Sequence, residues 1–261
     1  MIIARGKTRA EAWLNAISQI DPKVDDGRAY NVVVEIEQPS LATVESREVE
    51  RLVDSALIAS GQQPLITVAE TIFPMTEYRQ GGMKRVYEYP ETIYENIRAA
   101  NGNSWGTYAL RLVQRFDAKG EPFNPLEAML KKMGEQLQGN RKRCFYELDA
   151  TMPVAELKLY EAEKDRRKSV GTQCLSHLSF KFGKDDTLYL TAMYRSQHFV
   201  EKALGNYRGL AALQAAVANE LGLKPGPLVV HATYATYDAE AVGGPGQAGA
   251  LVNSARKVLA G

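Results

Sequence analysis

Cys174 to Ser196 reads CLSHLSFKFGKDDTLYLTAMYRS, and this stretch decides the fold. Leu178, Phe180 and Phe182 alternate with polar residues, the period of a strand with one buried face. Gly183-Lys184-Asp185-Asp186 is turn-forming and Thr187 to Arg195 is a second strand, so the two runs make a hairpin. With the turn centred between Lys184 and Asp185, Cys174 falls opposite Arg195, at a spacing where side chains interact. A guanidinium beside a thiol favours the reactive thiolate and holds an anion next to it. The alternative is that Cys174 is a small buried hydrophobe, the reading given to Cys144 in the apolar run Cys144-Phe145-Tyr146.

Outward from the hairpin, Asn206 can cap a helix from Tyr207 to Leu221, with Leu210, Leu213, Val217 and Leu221 inward. Lys224-Pro225-Gly226 reads as a turn and Leu228 to Tyr237 as a long strand. The last twenty residues read as loose until a short terminal helix. Towards the N-terminus, Arg143 to Leu148 reads as a strand, and Val154 to Ala162 is open between helix and loop. Asn124-Pro125-Leu126-Glu127 is a capping box that opens a helix to about Leu137. Further helices are expected over Glu91–Ala100, Glu45–Ser60 and Thr8–Ile20, with a strand at Tyr30–Ile36.

The 261 residues, 45% of them hydrophobic, can bury one sizeable core. No repeat or long linker interrupts the chain before residue 242, so one α/β (α+β) domain over 1–261 is expected, two small ones being the alternative. With 32 basic against 31 acidic residues, net charge gives no reason to expect bulk nucleic acid or an acidic membrane as a partner. Two cysteines are too few for a disulfide scaffold and suit a reducing compartment. No apolar run is long enough to span a bilayer and the N-terminus shows no signal-like segment, so a cytoplasmic protein is expected.

Several blocks together resemble the thymidylate synthase and deoxycytidylate hydroxymethylase family. These are Cys174 opening a strand, Arg195-Ser196 at the return of the hairpin, Asn206 eleven positions later, and Leu221-Gly222-Leu223-Lys224-Pro225-Gly226 after a long helix. A second block, Thr92-Ile93-Tyr94 through Asn101-Gly102 to Gly106-Thr107-Tyr108, is similar to the family segment that leads to an active-site tyrosine. Glu70 lies where the family carries a catalytic glutamate. Lys142-Arg143 resembles the paired arginines that reach a neighbour's phosphate. The likeness runs over roughly residues 65 to 240, with order and spacing agreeing across the blocks.

The resemblance implies a large mixed β-sheet covered by helices, a homodimer formed through the sheet, and a pyrimidine nucleoside monophosphate as substrate. Cys174 would add to C6 so that C5 accepts a methyl or hydroxymethyl group from 5,10-methylenetetrahydrofolate, with no metal. Arg195 would activate the thiol and, with Ser196 and the partner's Lys142 and Arg143, bind phosphate. The Asn206 amide would read uracil by donating to O4 and accepting from N3–H. Glu70 and Tyr108 would manage protons through water, and Tyr237 would bond the ribose.

The chain departs from the family beside its nucleophile, where Gln173 and Leu175 flank Cys174, and at Tyr194 before Arg195. His198 replaces the aspartate that the resemblance associates with the folate pterin, so the nucleotide half of the pattern is better kept than the cofactor half. Two alternatives stand beside one-carbon transfer. One is a folate-independent enzyme acting through the same cysteine, with His198 as acid or base. The other is a nucleotide-binding homologue without turnover. His231, on an apolar strand, is read as a satisfied buried histidine.

Overall fold

The computed structural model describes residues 1–93, 96, 106–117, 119–139, 146–150 and 173–261. In chain order its strands are β1 (Ile2–Gly6), β2 (Arg28–Ile36), β3 (Arg115–Phe116), β4 (Pro122–Phe123), β5 (Tyr146–Asp149), β6 (Leu175–Phe182), β7 (Thr187–Tyr194), β8 (Gln197–His198) and β9 (Lys224–Thr236). Its helices are α1 (Arg9–Ile17), α2 (Val44–Ala59), α3 (Leu65–Ile72), α4 (Met75–Thr92), α5 (Tyr108–Val113), α6 (Pro125–Gln138), α7 (Ala203–Glu220) and α8 (Pro245–Ala260). The fold is mixed α/β. One large sheet runs β1-β2-β9-β7-β6-β5, with β8 beside the end of β9, and β3 and β4 pair separately. β1 and β2 are parallel, as are β7 and β9, while the other joins on the main path are antiparallel.

Period-2 alternation sorts the sheet into two faces. Val32, Val34 and Ile36 of β2, Leu178, Phe180 and Phe182 of β6, Leu188, Leu190 and Ala192 of β7, and Leu228, Val230 and Ala232 of β9 are buried under helices. The opposite face carries Ile3, Glu35, Lys181, Tyr189, Met193 and His231, which are exposed or half-buried. Trp13 of α1 lies in the buried layer, where its indole N–H donates to the Phe199 carbonyl at 2.8 Å. Helix starts follow capping rules: Thr8, Thr43, Thr107 and Asn124 each accept an amide hydrogen from their own first turn.

Five expectations are corrected. Asn206 does not cap α7, which begins at Ala203 with Lys202 before it, because Ala203-Leu204-Gly205 already packs in helical form against α3. Lys224-Pro225-Gly226 is the start of β9 and not a turn, with Lys224 N–H donating to the Asp186 carbonyl. The C-terminal segment is the sixteen-residue α8, with Pro245 in its first turn and Ala248, Leu251, Val252 and Ala255 buried. α4 runs through Gly81, Gly82 and Pro90, with a kink at the two glycines. The helix expected from Glu91 therefore begins inside α4, and most of its remainder lies outside the described residues. His231 is half-buried on the open face, its Nε2 3.1 Å from Asn31 Oδ1.

The close approach of α3 to α7 needs glycine. A Cβ on Gly209 would sit 2.7 Å from the Ala69 carbonyl oxygen and 3.0 Å from Ile72 Cβ, and one on Gly205 would sit 2.7 Å from Val68 Cβ. Alanine is ordinarily better than glycine inside a helix. Gly209→Ala is nevertheless expected to lower stability, by about 1–3 kcal/mol of overpacking. Denaturant unfolding checks this, and a midpoint that holds or rises would contradict the packing.

Candidate active site around Cys174

The hairpin turn is longer by half a step than its sequence suggests. Phe182 pairs with Leu188, so the turn centres on Asp185, with Asp186 at a positive φ of 52°. Continued unchanged, that register would set Cys174 against Ser196. A bulge between Leu175 and His177 shifts the ladder by one, Leu175 faces Tyr194, and Arg195 N–H donates to the Cys174 carbonyl at 2.9 Å. Cys174 and Arg195 are thus opposed, by way of an irregularity.

Tyr108, at the start of α5, fixes the other side of this strand end. Its hydroxyl oxygen accepts the N–H of Cys174 at 2.8 Å and that of Leu175 at 3.1 Å. Burial first, and then the neighbouring Cys174 sulfur once it ionises, pushes the Tyr108 hydroxyl up to about 12. Arg195 folds back, its Nε donating to the Gln173 carbonyl at 2.8 Å. Burial also holds the Cys174 thiol above its ordinary range, outweighing the pull of the Arg195 and Lys202 charges. The resting sulfur is therefore a thiol, and the simple expectation of an arginine-stabilised thiolate is incomplete.

Thr233 of β9 ties down the next residues, its hydroxyl donating to the Arg195 carbonyl at 3.0 Å. Ser196 follows, half-buried, and Gln197-His198 continues along β9 as β8. Asn206 is 7% exposed in α7, and its side-chain amide makes no hydrogen bond among the described residues. His198 Nδ1 lies 3.6 Å from Asp238 Oδ2, and that carboxylate raises the imidazole pKa. Asp238 also accepts the amides of Val200 at 2.8 Å and Glu201 at 3.0 Å. Tyr237 is half-buried beside it, its N–H donating to the Gly27 carbonyl at 2.7 Å.

Not every expected residue gathers here. Glu70 Oε1 accepts the Thr76 N–H at 3.2 Å and its hydroxyl at 3.0 Å, which serves the open amides at the start of α4. No hydrogen bond joins Glu70 to Cys174 or Tyr108 among the described residues. Lys142 and Arg143 lie outside the described residues, as do Tyr94, Asn101 and Gly102. A cavity of about 250 Å³ lies elsewhere, lined by Tyr87, Glu91, Leu110, Val113 and Phe123 among others.

Sequence reading missed Asp238, the partner that sets His198, although an Asp directly after a long strand could have flagged a loop-fixing carboxylate. It also missed the buried hydroxyls of Tyr194 and Tyr207, for which alternation gives a face and no partner. His198, Glu201 and Asp238 bring ligand atoms within 4.8 Å of one another. Lys202 pairs with Glu201, however, and two backbone amides occupy Asp238, so charge in this cluster is already balanced from within. No known family model and no curated protein matches this chain.

The His198–Asp238 pair has a definite pH signature. A histidine whose pKa is raised on folding stabilises the fold below its unfolded value, near 6.5, and that contribution is lost as pH rises through the folded value. Asp238→Asn is expected to bring the His198 midpoint down towards 6.5 and to remove that acid-side gain. NMR titration of the imidazole checks it, and an unmoved midpoint would contradict the pairing.

Proposed function

We propose that this chain is a thymidylate synthase-like transferase that activates C5 of a pyrimidine nucleoside monophosphate by adding Cys174 to C6. The observation that carries the reading is the bulged strand end, where Tyr108 and Arg195 both hold the Cys174 backbone. Sulfur forms a bond to C6, the C5–C6 π pair moves towards C4–O4, and the thiol proton passes to solvent. C5 of the resulting enolate is then nucleophilic, which divides one hard substitution into two easier steps. Asn206, 7% exposed and with its amide unbonded among the described residues, suits the O4 and N3–H edge of uracil. Arg195 and Ser196 supply donors for phosphate, joined by Lys142 and Arg143 of a second copy.

A dimer through the sheet is supported by its open face, where Ile3, Tyr189 and Met193 stand exposed. Tyr237 is assigned to the ribose through the resemblance alone. Tyr108 is held near the sulfur as a protonated hydroxyl and suits proton management, whereas Glu70 would have to leave Thr76 to join it.

The resemblance implies methylenetetrahydrofolate as the source of a methyl or hydroxymethyl group, and the residues present do not fit it. A pterin presents N–H donors that pair with a carboxylate. At the corresponding position stands His198, which Asp238 biases towards its cationic donor form. Both Asp238 oxygens already accept backbone amides. α8 packs on α2, and its Leu251 and Val252 are buried, so this segment is no loose flap for a second ligand. These observations favour a second reading, a folate-independent exchange, hydrolysis or rearrangement at an activated base.

Tritium release from [5-³H]UMP, dUMP, CMP and dCMP, with and without methylenetetrahydrofolate, separates the two. Release that requires Cys174, tested against Cys174→Ala, is expected from a uracil nucleotide. Folate dependence would establish one-carbon transfer and folate independence the second reading, while no release from any nucleotide would contradict both.

A further inference from the structure

A histidine on the open face of the sheet meets a carboxylate at each ring nitrogen. His177 Nδ1 lies 2.7 Å from Asp149 Oδ1, and its Nε2 lies 2.8 Å from Glu147 Oε2. A carboxylate only accepts, so both ring nitrogens carry a hydrogen and the ring is an imidazolium. Glu147 also accepts from the Ser179 hydroxyl at 3.1 Å and from the Lys181 ammonium. Two carboxylates, one imidazolium and one ammonium thus form a charge-balanced row across β5 and β6. On β7 the residue opposite His177 is Met193, which carries no charge, and Arg115 of β3 donates to the Asp149 carbonyl.

This row borders the bulge that sets the site. Ser176, between Leu175 and His177, is the residue left without a partner on β7. It is held from β5 instead, its carbonyl accepting the Ala150 N–H at 3.0 Å, and its hydroxyl reaches the Cys174 carbonyl at 3.5 Å. Among the described residues β5 is the edge strand, four residues long and paired on one side. Side-chain pairs across such a short edge help to fix its register. Burial works against the charge on His177, and the two carboxylates outweigh it, raising its pKa above the ordinary value. The charged bridge is therefore complete below about 6.5 and is lost as pH rises through the folded value. A neutral ring keeps one N–H and turns a lone pair on the other carboxylate, which repels it.

We propose that His177 is a positioning residue for Cys174, its imidazolium bridging Glu147 and Asp149 so that β5 holds the bulge opposing Cys174 to Arg195. When the ring gives its proton to solvent, one carboxylate loses its donor and the strand end loosens. The proposal rests on the reading of Cys174 as a nucleophile.

The test uses no nucleotide. NMR titration reads the His177 midpoint in wild type, Glu147→Gln and Asp149→Asn, and both variants are expected to bring it down towards 6.5. Amide exchange of Ala150, corrected for intrinsic base catalysis, should quicken about two- to fivefold as pH passes the wild-type midpoint, while amides of the β2–β9 pairing hold. The Cys174 readout is alkylation by iodoacetamide against pH, followed by peptide mass spectrometry, which separates it from Cys144. With the thiolate fraction divided out, its rate should rise by a similar factor at the His177 midpoint. His177→Gln, neutral at every pH, should remove both steps. An unmoved midpoint in both carboxylate variants would overturn the bridge. A Cys174 profile with no step at that midpoint would overturn the positioning role, whether or not Ala150 exchange follows it. Both steps in a protein that releases no tritium from any nucleotide would leave His177 coupled to Cys174 and remove the pyrimidine reading alone.

Discussion

The pairing of Arg195 with Cys174 depends on one irregularity in an otherwise regular ladder. From Phe182 to His177 each residue of β6 faces its partner on β7 with a constant offset, and the shift after His177 changes that offset by one. A one-residue slip exchanges the faces of a strand, so the bulge decides which residues stand at the strand end. Tyr108 stabilises the bulged end by accepting two successive amides, those of Cys174 and Leu175. The α5 helix that carries Tyr108 starts at a threonine cap, which ties the hydroxyl's position to the first turn of a packed helix. Thr233 and β8 then hold the following residues along β9.

Around this strand end two electrostatic demands compete. Burial favours the neutral thiol, while Arg195 and Lys202 favour the anion, and burial prevails. Buried polar atoms without partners among the described residues include the Tyr194 hydroxyl of β7, the Gln197 amide of β8, and the Tyr207 hydroxyl and Gln214 Oε1 of α7. The apolar core elsewhere is closed by Leu, Val, Ile and Phe with few such exceptions.

The parts of the fold that rest on periodicity were legible. The hairpin, β2, the face of α7 and the Asn124 cap of α6 all follow from spacing and end signals. What failed were segments where glycine and proline carry packing roles instead of breaking structure. Gly205 sits inside α7 because Val68 leaves no room for a Cβ, Pro225 is tolerated near the open end of β9, and Pro245 starts α8. In the site, opposition of Cys174 and Arg195 could be read from the register, although the bulge that achieves it could not. Glu70 lies on α3, but its carboxylate answers the nearby α4 terminus, a demand that appears only once the chain turns at Pro74.

The central claim is that Cys174 forms a bond to C6 of a pyrimidine nucleotide. A 5-nitro group stabilises negative charge at C5, so an adduct with 5-nitro-dUMP or 5-nitro-UMP would accumulate without any one-carbon donor. Intact-mass spectrometry with peptide mapping reads it directly. The account predicts a mass increase of one nucleotide per chain, located on the Cys174 peptide and absent in Cys174→Ala. No adduct with either nucleotide, or one that survives in Cys174→Ala, would contradict it.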